Sequence, residues 1–355
     1  MMFRQNASWI SPILNASRRT EYTRTHPGCL ADVPRARREP PGPIHPSSAA
    51  SQRFRVTNTP VPMRHRISAP TGLTMTQGQS STMVDVTTKT DGTPDDKTMR
   101  QFTIHHDGVT IPVTRGGIGR PLVLCPGLFT TQADLAELIE LLRRDFEVIS
   151  FDLRGHGRSS AGDRYTFEAF LGDLGAVLAR LNRDLPAPPL LAGHSLGADL
   201  IVHYAAENPT SAAELVLIDG ANPVPEPFIT ATDLPEFRAM AQQLCRAAEP
   251  TAGTPHQVLL TAEQFVDLNL EIDAVRSTIL DRYRRIDRPI TMIMSASMAG
   301  DSDDRETVWR NRNWRSGVER VVRERPDIRT FRLDAGHGLP VTHATNIARI
   351  IRTAS

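Results

Sequence analysis

Short apolar runs alternate with segments of helical periodicity along most of this chain, and that alternation limits what it can fold into. The run PLVLCPG ends in Pro-Gly, and Leu135, Leu138, Ile139 and Leu142 follow it at helical spacing. Strands that are apolar on both faces and separated by amphipathic helices predict a mostly parallel central sheet with helices on both faces, an α/β fold. The predicted strands are PLVLCPG, FEVISFD, PPLLAGH, AELVLID, PITMIMSAS and IRTFRLD.

Two segments depart from this alternation. Asp107-Gly108 separates two short runs, QFTIHH and VTIPVTRG, and predicts a β-hairpin ahead of the parallel strands. Between residues 221 and 288, two helical segments, 234–247 and 261–285, follow each other without a strand. Because ligands bind at the carboxyl ends of the strands in such sheets, an insertion after LVLID is placed to cover the site. We therefore predict a small helical lid at about 221–288.

The first part of the chain differs from the rest in composition. Residues 1–98 are rich in Pro, Ser, Thr and Arg and have no sustained apolar period, which predicts a disordered extension before one domain at 99–355. This extension has an excess of basic residues. It is compatible with a transit peptide or a nucleic acid contact. The alternative is a true start at Met75, Met83 or Met99.

The sequence does not indicate a membrane span, a disulfide framework or a structural metal. No stretch approaches the ~20 apolar residues that a membrane-spanning helix needs. The first twenty residues lack the charged-then-apolar order of a secretory signal. Cys29, Cys125 and Cys245 are few and scattered, and none forms a Cys-x-x-Cys pair. We expect a cytoplasmic protein.

The strongest chemical signal is the pentapeptide GHSLG at 193–197, which lies between a predicted strand and a predicted helix. That context is typical of a nucleophilic serine in a G-x-S-x-G turn. The turn is so tight that side chains two residues before and after the serine would collide, which explains Gly193 and Gly197. We predict that Ser195 is a nucleophile.

A serine hydroxyl needs a base to become a good nucleophile. Of the 11 histidines, only His337 directly follows the last predicted strand, and the order serine before histidine is expected of such a fold. A carboxylate should then fix the tautomer of the imidazole. We favour Asp301, in the loop after the penultimate strand. Asp303 in the same loop and Asp219 at the end of LVLID are the alternatives.

Acyl transfer also needs donors for the developing oxyanion. The backbone N–H of Leu196 is one candidate, and the N–H of Leu128 in the turn CPGLF is the second. Gly127 permits the sharp turn that would aim the latter group.

Four motifs, GHSLG, FDLRGHGRS, LVLIDGA and DAGHG, resemble the α/β-hydrolase fold family of lidded esterases, lipases and C-C hydrolases, and the match spans about residues 100–352. The resemblance implies a Ser-His-acid triad, no cofactor and an ester-like small-molecule substrate. It also implies a structural role for His156. Most relatives have His-Gly where this chain has Pro126-Gly127. Dehalogenases and epoxide hydrolases of this fold carry an Asp where Ser195 stands, which disfavours those chemistries.

We therefore expect a serine hydrolase that cleaves a small or medium apolar ester, thioester or lactone through an acyl-enzyme, without metal or nucleic acid. A C-C bond hydrolase, lyase or cyclase with the same residues is the alternative, and a non-catalytic ligand-binding protein is a third hypothesis. Asp199 is expected to pair with His203, one helical turn away. The apolar residues expected to pack the lid or line an acyl pocket are Phe228, Leu234, Phe237, Met240, Leu244, Phe265, Leu268 and Ile272.

Overall fold

A computed structural model describes residues 99–354, so the predicted extension at 1–98 lies outside the described residues. The strands are β1 (Arg100–His106), β2 (Val109–Gly117), β3 (Arg120–Cys125), β4 (Phe146–Phe151), β5 (Leu190–His194), β6 (Glu214–Ile218), β7 (Ile290–Ser295) and β8 (Arg329–Leu333). The helices are α1 (Ala136–Leu142), α2 (Phe167–Leu181), α3 (Leu196–Glu207), α4 (Leu234–Ala248), α5 (Ala262–Ser277), α6 (Leu280–Tyr283), α7 (Arg305–Glu324), α8 (Leu339–Thr342) and α9 (Ala344–Ala354). A 3₁₀ turn, Glu249–Thr251, follows α4.

The strands form one sheet in the order β1-β2-β4-β3-β5-β6-β7-β8. The pairs β1/β2 and β2/β4 are antiparallel, and all the other neighbours are parallel. The predicted hairpin is confirmed, because β1 and β2 are joined by Asp107 and Gly108, with φ of 49° and 74°. Two positive φ values match the right-handed twist of the flanking strands.

Helices cover both faces of the sheet, and β3 shows why its apolar run is continuous. Leu122 and Leu124 belong to a core shared with α1 and α9, whereas Val123 belongs to the core shared with α2 and α3. Successive side chains of a strand point to opposite faces, so both faces must be apolar when both are covered. The sequence prediction of a mostly parallel sheet between two helical layers is confirmed.

Residues 221–288, which we call the helical insertion, hold α4, α5 and α6. Phe237 of α4 stacks on Phe265 of α5, with ring centroids 5.8 Å apart. The prediction of one helix over 261–285 is wrong, because α5 ends before α6 begins. The hydroxyls of Ser277 and Thr278 donate to the carbonyls of Ala274 and Val275, and such local bonds compete with the helix ladder.

The carboxyl ends of the parallel strands lie along one edge of the sheet. Ser195, Asp219 and His337 lie in the loops that follow β5, β6 and β8, so residues far apart in sequence meet at that edge. Among the described residues, no helix is both long and apolar enough to cross a bilayer.

Candidate active site

Ser195 occupies a strained turn between β5 and α3. Its φ of 50° and ψ of −119° lie in a region that L-residues rarely adopt. A Cβ at Gly193 would lie 2.4 Å from the carbonyl oxygen of Gly197, and a Cβ at Gly197 would lie 2.3 Å from that of Cys125. Both glycines are therefore required by close backbone approaches. Strain of this kind persists only where the surrounding structure enforces it, and it is typical of functional sites.

The imidazole of His337 bridges Ser195 and Asp219. Its Nε2 lies 2.9 Å from Ser195 Oγ, and its Nδ1 lies 2.8 Å from Asp219 Oδ2. If Nδ1–H donates to the carboxylate, Nε2 is left as the acceptor for the serine hydroxyl. The side chain of His337 is 13% exposed and that of Asp219 is fully buried. The hydroxyl, the imidazole and the buried carboxylate thus form one continuous hydrogen-bonded series.

Four donors surround the Asp219 carboxylate. Ser295 donates its N–H to Oδ1 at 2.9 Å and its hydroxyl to Oδ2 at 2.7 Å, and the indole N–H of Trp314 donates to Oδ1 at 2.9 Å. The fourth donor is His337. Burial acts to raise the pKa of Asp219, but the hydrogen bonds and charge of His337, with the bonds from Ser295, outweigh it and hold the pKa below its usual value. The carboxylate is thus kept ionised.

The expectation that Asp301 orients the histidine is wrong in this structure, and the alternative acid Asp219 takes that position. Asp301 is exposed in the loop between β7 and α7, as is Asp303. Asp304, their neighbour, accepts the N–H groups of Glu306 and Thr307 and caps α7. The loop therefore satisfies the helix N-terminus rather than His337, while Asp219 follows β6 directly, with a φ of 46°.

The two proposed oxyanion donors, the N–H groups of Leu128 and Leu196, belong to residues that line one pocket with Ser195. Leu196 opens α3, where N–H groups have no partner within the helix. Phe129, next to Leu128, has a φ of 58° and donates its N–H to His156 Nε2 at 3.1 Å. Burial lowers the pKa of His156 to about 4, which keeps this nitrogen free to accept.

Sequence reasoning assigned no role to His194, which precedes the nucleophile. Its Nε2 donates to the backbone carbonyl of His337 at 3.0 Å. Burial, with the charge of His337, lowers the pKa of His194 to about 3, so the ring is neutral. A Cβ at Gly127 would lie 2.7 Å from His194 Nδ1. His194 therefore packs between the Pro-Gly turn and the His337 loop and ties the two together. In the sequence, His194 stands at the variable position before the serine of the G-x-S-x-G motif, and nothing else distinguishes it.

A pocket opens beside Ser195 and His337, and the helical insertion forms part of its wall. Its apolar side chains include Leu128, Phe228, Ile229, Phe237, Ile272, Met298 and Trp314. Three of the predicted insertion residues, Phe228, Phe237 and Ile272, are thus in the wall. Among the others, Leu244 and Phe265 pack in the core of the insertion. Four polar side chains, Asn269, Asp273, Arg276 and Arg310, complete the lining.

Asp199 pairs with Arg276, so the expected pairing with His203 is wrong. Arg276 Nη2 lies 2.7 Å from Asp199 Oδ2, and its Nε lies 3.0 Å from Oδ1. A guanidinium offers two parallel donors to a carboxylate, which an imidazole does not. His203 instead packs its ring edge against Phe167. The Arg276 ion pair joins α5 of the insertion to the helix that begins at the nucleophile.

No group of three or more His, Cys, Asp or Glu side chains within the described part of the chain is arranged to hold a metal ion. Cys125 is free and buried, and burial raises the pKa of its thiol well above the ordinary value.

Comparison with known proteins gives a family and several partial relatives. The model of the alpha/beta hydrolase family matches residues 122–350. A putative non-heme haloperoxidase of Mycobacterium phage D29 is 34% identical over 118 residues, which are 32% of this chain and 41% of that protein. N-formylmaleamate deformylase of Pseudomonas putida is 34% identical over 106 residues, 29% of this chain and 38% of that protein. The chain thus matches less than half the length of these two relatives.

The fold also has solved counterparts. The enol-lactonase from Burkholderia xenovorans LB400 superimposes with a TM-score of 0.54 at 19% sequence identity, covering 71% of this chain and 98% of that structure. At this identity the likeness concerns the fold alone, and it agrees with the strand order and the helical layers described above.

Proposed function

We propose that this chain, which belongs to the alpha/beta hydrolase family, is a serine hydrolase that cleaves a small or medium ester, thioester or lactone through an acyl-enzyme. The observation that carries the proposal is the hydrogen-bonded series Ser195, His337 and Asp219, of which Ser195 and His337 line a pocket. A binding protein would have no reason to hold a serine in a strained turn within 2.9 Å of a histidine that is itself bonded to a buried carboxylate.

In the first half-reaction, Ser195 Oγ attacks the carbonyl carbon of the substrate while His337 Nε2 takes the hydroxyl proton. The tetrahedral intermediate collapses when His337 returns that proton to the leaving oxygen or sulfur, which departs as an alcohol or thiol. Asp219 stays ionised and stabilises the imidazolium that exists between the two transfers. The pKa of Asp219 suits that role, because the bonds from His337 and Ser295 lower it more than burial raises it.

In the second half-reaction, water attacks the acyl-enzyme and gives a proton to His337 Nε2. The proton then passes to Ser195 Oγ as the acid leaves, which restores the starting state. The N–H groups of Leu128 and Leu196 are proposed to hold the oxyanion in both halves. Each such donor contributes about 3–4 kcal/mol of transition-state stabilisation in enzymes of this kind.

The acyl or alkyl part of the substrate would occupy the pocket beside Ser195. Phe228, Phe237 and Ile272 of the insertion offer apolar surface there. A site of this composition favours a compact molecule over an extended polymer.

The test is labelling by a fluorophosphonate probe, which reacts only with an activated serine. We expect the full chain to be labelled, Ser195→Ala not to be labelled, and Ser211→Ala, at a serine outside the pocket, to be labelled like the full chain. The full chain should also release nitrophenol in a burst from an activated ester. Absence of labelling in a folded sample would contradict the proposal. Labelling without turnover of any ester or thioester would favour a lyase, cyclase or C-C bond hydrolase.

A further inference from the structure

One helix face in the wall of the pocket is polar where an apolar face is expected. Asn269, Asp273 and Arg276 of α5 lie at i, i+4 and i+7 and all line the pocket that contains Ser195. An inward face of a surface helix is ordinarily apolar at these spacings, but Ile272 is the one apolar side chain that α5 contributes to this lining. We call Asn269, Asp273 and Arg276 the polar stripe.

Arg276 is the fixed donor of the polar stripe. The residue is 8% exposed, its Nε and Nη2 donate to Asp199, and its guanidinium lies over the ring of Trp314, 5.5 Å from the centroid. Within residues 99–354, Nη1 has no hydrogen-bond partner. Since Nε and Nη2 are used by Asp199, the Nη1 H₂ group is the donor that remains. Arg276 lines the pocket, so this donor is offered to a ligand there.

Asp273 is the matching acceptor. Its Oδ2 accepts the backbone N–H groups of Phe228 and Ile229 at 2.8 and 3.0 Å, which fixes the carboxyl group. Oδ1 has no hydrogen-bond partner in the described part of the chain. Burial raises the pKa of Asp273, although Arg276 and the two N–H groups act against that rise. An unmet acceptor and an unmet donor therefore lie one helical turn apart on the same wall.

The charges of the wall favour an uncharged ligand group. Arg276 is neutralised by Asp199, and Arg310, the other guanidinium of the lining, is paired with Glu306. Asp273 has no such ion pair among the described residues. A substrate carboxylate would be repelled by the Asp273 carboxylate, and a substrate ammonium has no lone pair to accept a hydrogen bond from Arg276 Nη1. A neutral group that both accepts and donates hydrogen bonds avoids both problems.

We propose that the substrate carries a carboxamide, away from the bond that is cleaved, whose carbonyl oxygen accepts from Arg276 Nη1 and whose N–H donates to Asp273 Oδ1. This inference rests on the proposed function, since it names the substrate of the same site. It replaces the expected purely apolar substrate with one that has an apolar linker and a polar end. A site with buried polar groups discriminates strongly against an analogue that leaves them unpaired.

The experiment compares three series of p-nitrophenyl esters with acyl chains of four to eight carbons. The chains end in a methyl group, a primary carboxamide or a carboxylate. At the best chain length, we expect kcat/KM for the carboxamide ester to exceed that for the methyl-ended ester by about tenfold or more, as for one or two net hydrogen bonds. We expect the carboxylate ester to be the poorest substrate of the three.

Asp273→Asn tests the assignment within the same fold. The Asn carbonyl oxygen keeps the two backbone N–H bonds, while its NH₂ replaces the acceptor that the carboxamide would use. The ratio of carboxamide to methyl-ended turnover should fall about tenfold, and the relative rate for the carboxylate ester should rise. Asp267→Asn, the same change at an exposed position of α5, is the matched control and should leave both ratios unaltered.

Fluorophosphonate labelling separates the two proposals. Labelled protein that prefers the methyl-ended or the carboxylate ester overturns the carboxamide inference and leaves the serine hydrolase standing. If labelled protein cleaves none of the esters, protection of Ser195 from the probe decides: hexanamide should slow labelling more than hexanoate does, and the reverse order overturns the inference. A folded protein that is not labelled overturns both.

Discussion

Replacing Asp219 by Asn should lower kcat far more than the same replacement at Asp301. The carboxylate of Asp219 accepts four hydrogen bonds, one of them from His337 Nδ1 at 2.8 Å. An Asn of the same shape presents one oxygen and one NH₂ group. If the NH₂ faces His337, it donates to Nδ1, and the ring proton moves to Nε2, where it blocks acceptance of the Ser195 proton.

The size of the effect follows from that change of tautomer. A comparable change in a serine protease lowers kcat about 10⁴-fold. We expect a fall of about 10³–10⁴ in kcat for Asp219→Asn, which corresponds to about 4–5.5 kcal/mol of transition-state stabilisation. Asp301 is exposed and caps nothing, so Asp301→Asn should change kcat by less than about twofold.

Steady-state hydrolysis of an activated ester measures both variants, and urea unfolding shows whether each is folded. The two substitutions are chemically identical, so any unequal loss of kcat reflects position. A normal rate for folded Asp219→Asn would refute the reasoning. A large loss for Asp301→Asn would mean that the loop after β7 closes on His337 during turnover.

Three further outcomes are expected. Gly193→Ala places a Cβ 2.4 Å from a backbone oxygen, so it should lower the free energy of unfolding by about 1–3 kcal/mol and abolish probe labelling. Normal stability together with normal labelling would contradict this expectation. His156 and His194 have folded pKa values of about 4 and 3, below the unfolded value of about 6.5, so their contribution to stability is complete above pH 6.5 and falls below it. Urea unfolding between pH 6 and about 4 should show a loss of up to about 2.7 kcal/mol per pH unit, and a flat profile would exclude neutral buried rings. Arg276→Met should cost about 3–5 kcal/mol in the same assay by leaving buried Asp199 unpaired, and Arg276→Met with Asp199→Leu should recover most of it.

Local patterns were sufficient to predict the sheet and the serine turn. An apolar run such as PLVLCPG reports burial on both faces, and a helical period reports one buried stripe, so each element could be recognised within its own segment. Asp107-Gly108 and GHSLG are short enough for backbone sterics alone to indicate the turn.

The choice of acid could not be made in the same way. Asp219 and Asp301 follow neighbouring parallel strands, β6 and β7, whose carboxyl ends meet at one edge. Sequence order does not show which loop turns toward His337. Two observations separate them: Asp219 lies directly after β6 with a positive φ and is bonded to His337 Nδ1, whereas Asp304 of the other loop caps α7.

The partner of Asp199 was hidden for a related reason. His203 lies one helical turn away, whereas Arg276 lies 77 residues away on a different helix. Pairs within one helix can be predicted from sequence spacing. A pair between two distant helices, such as Asp199 and Arg276, can be identified only in the folded structure. His194 was overlooked in the same way, because its contact with the His337 carbonyl spans 143 residues.

These long-range contacts connect the pocket wall to the triad. Arg276 lies over the ring of Trp314, and the indole N–H of Trp314 donates to the Asp219 carboxylate that orients His337. Arg276 also holds Asp199, four residues after Ser195 on the nucleophile helix. A substrate group that binds Arg276 would therefore touch a side chain that contacts Trp314, which is bonded to Asp219, and Asp199, whose N–H donates to the carbonyl of Ser195. Changes at Arg276 should consequently alter kcat as well as KM, because the residue that would recognise the substrate also contacts the neighbours of Ser195 and Asp219.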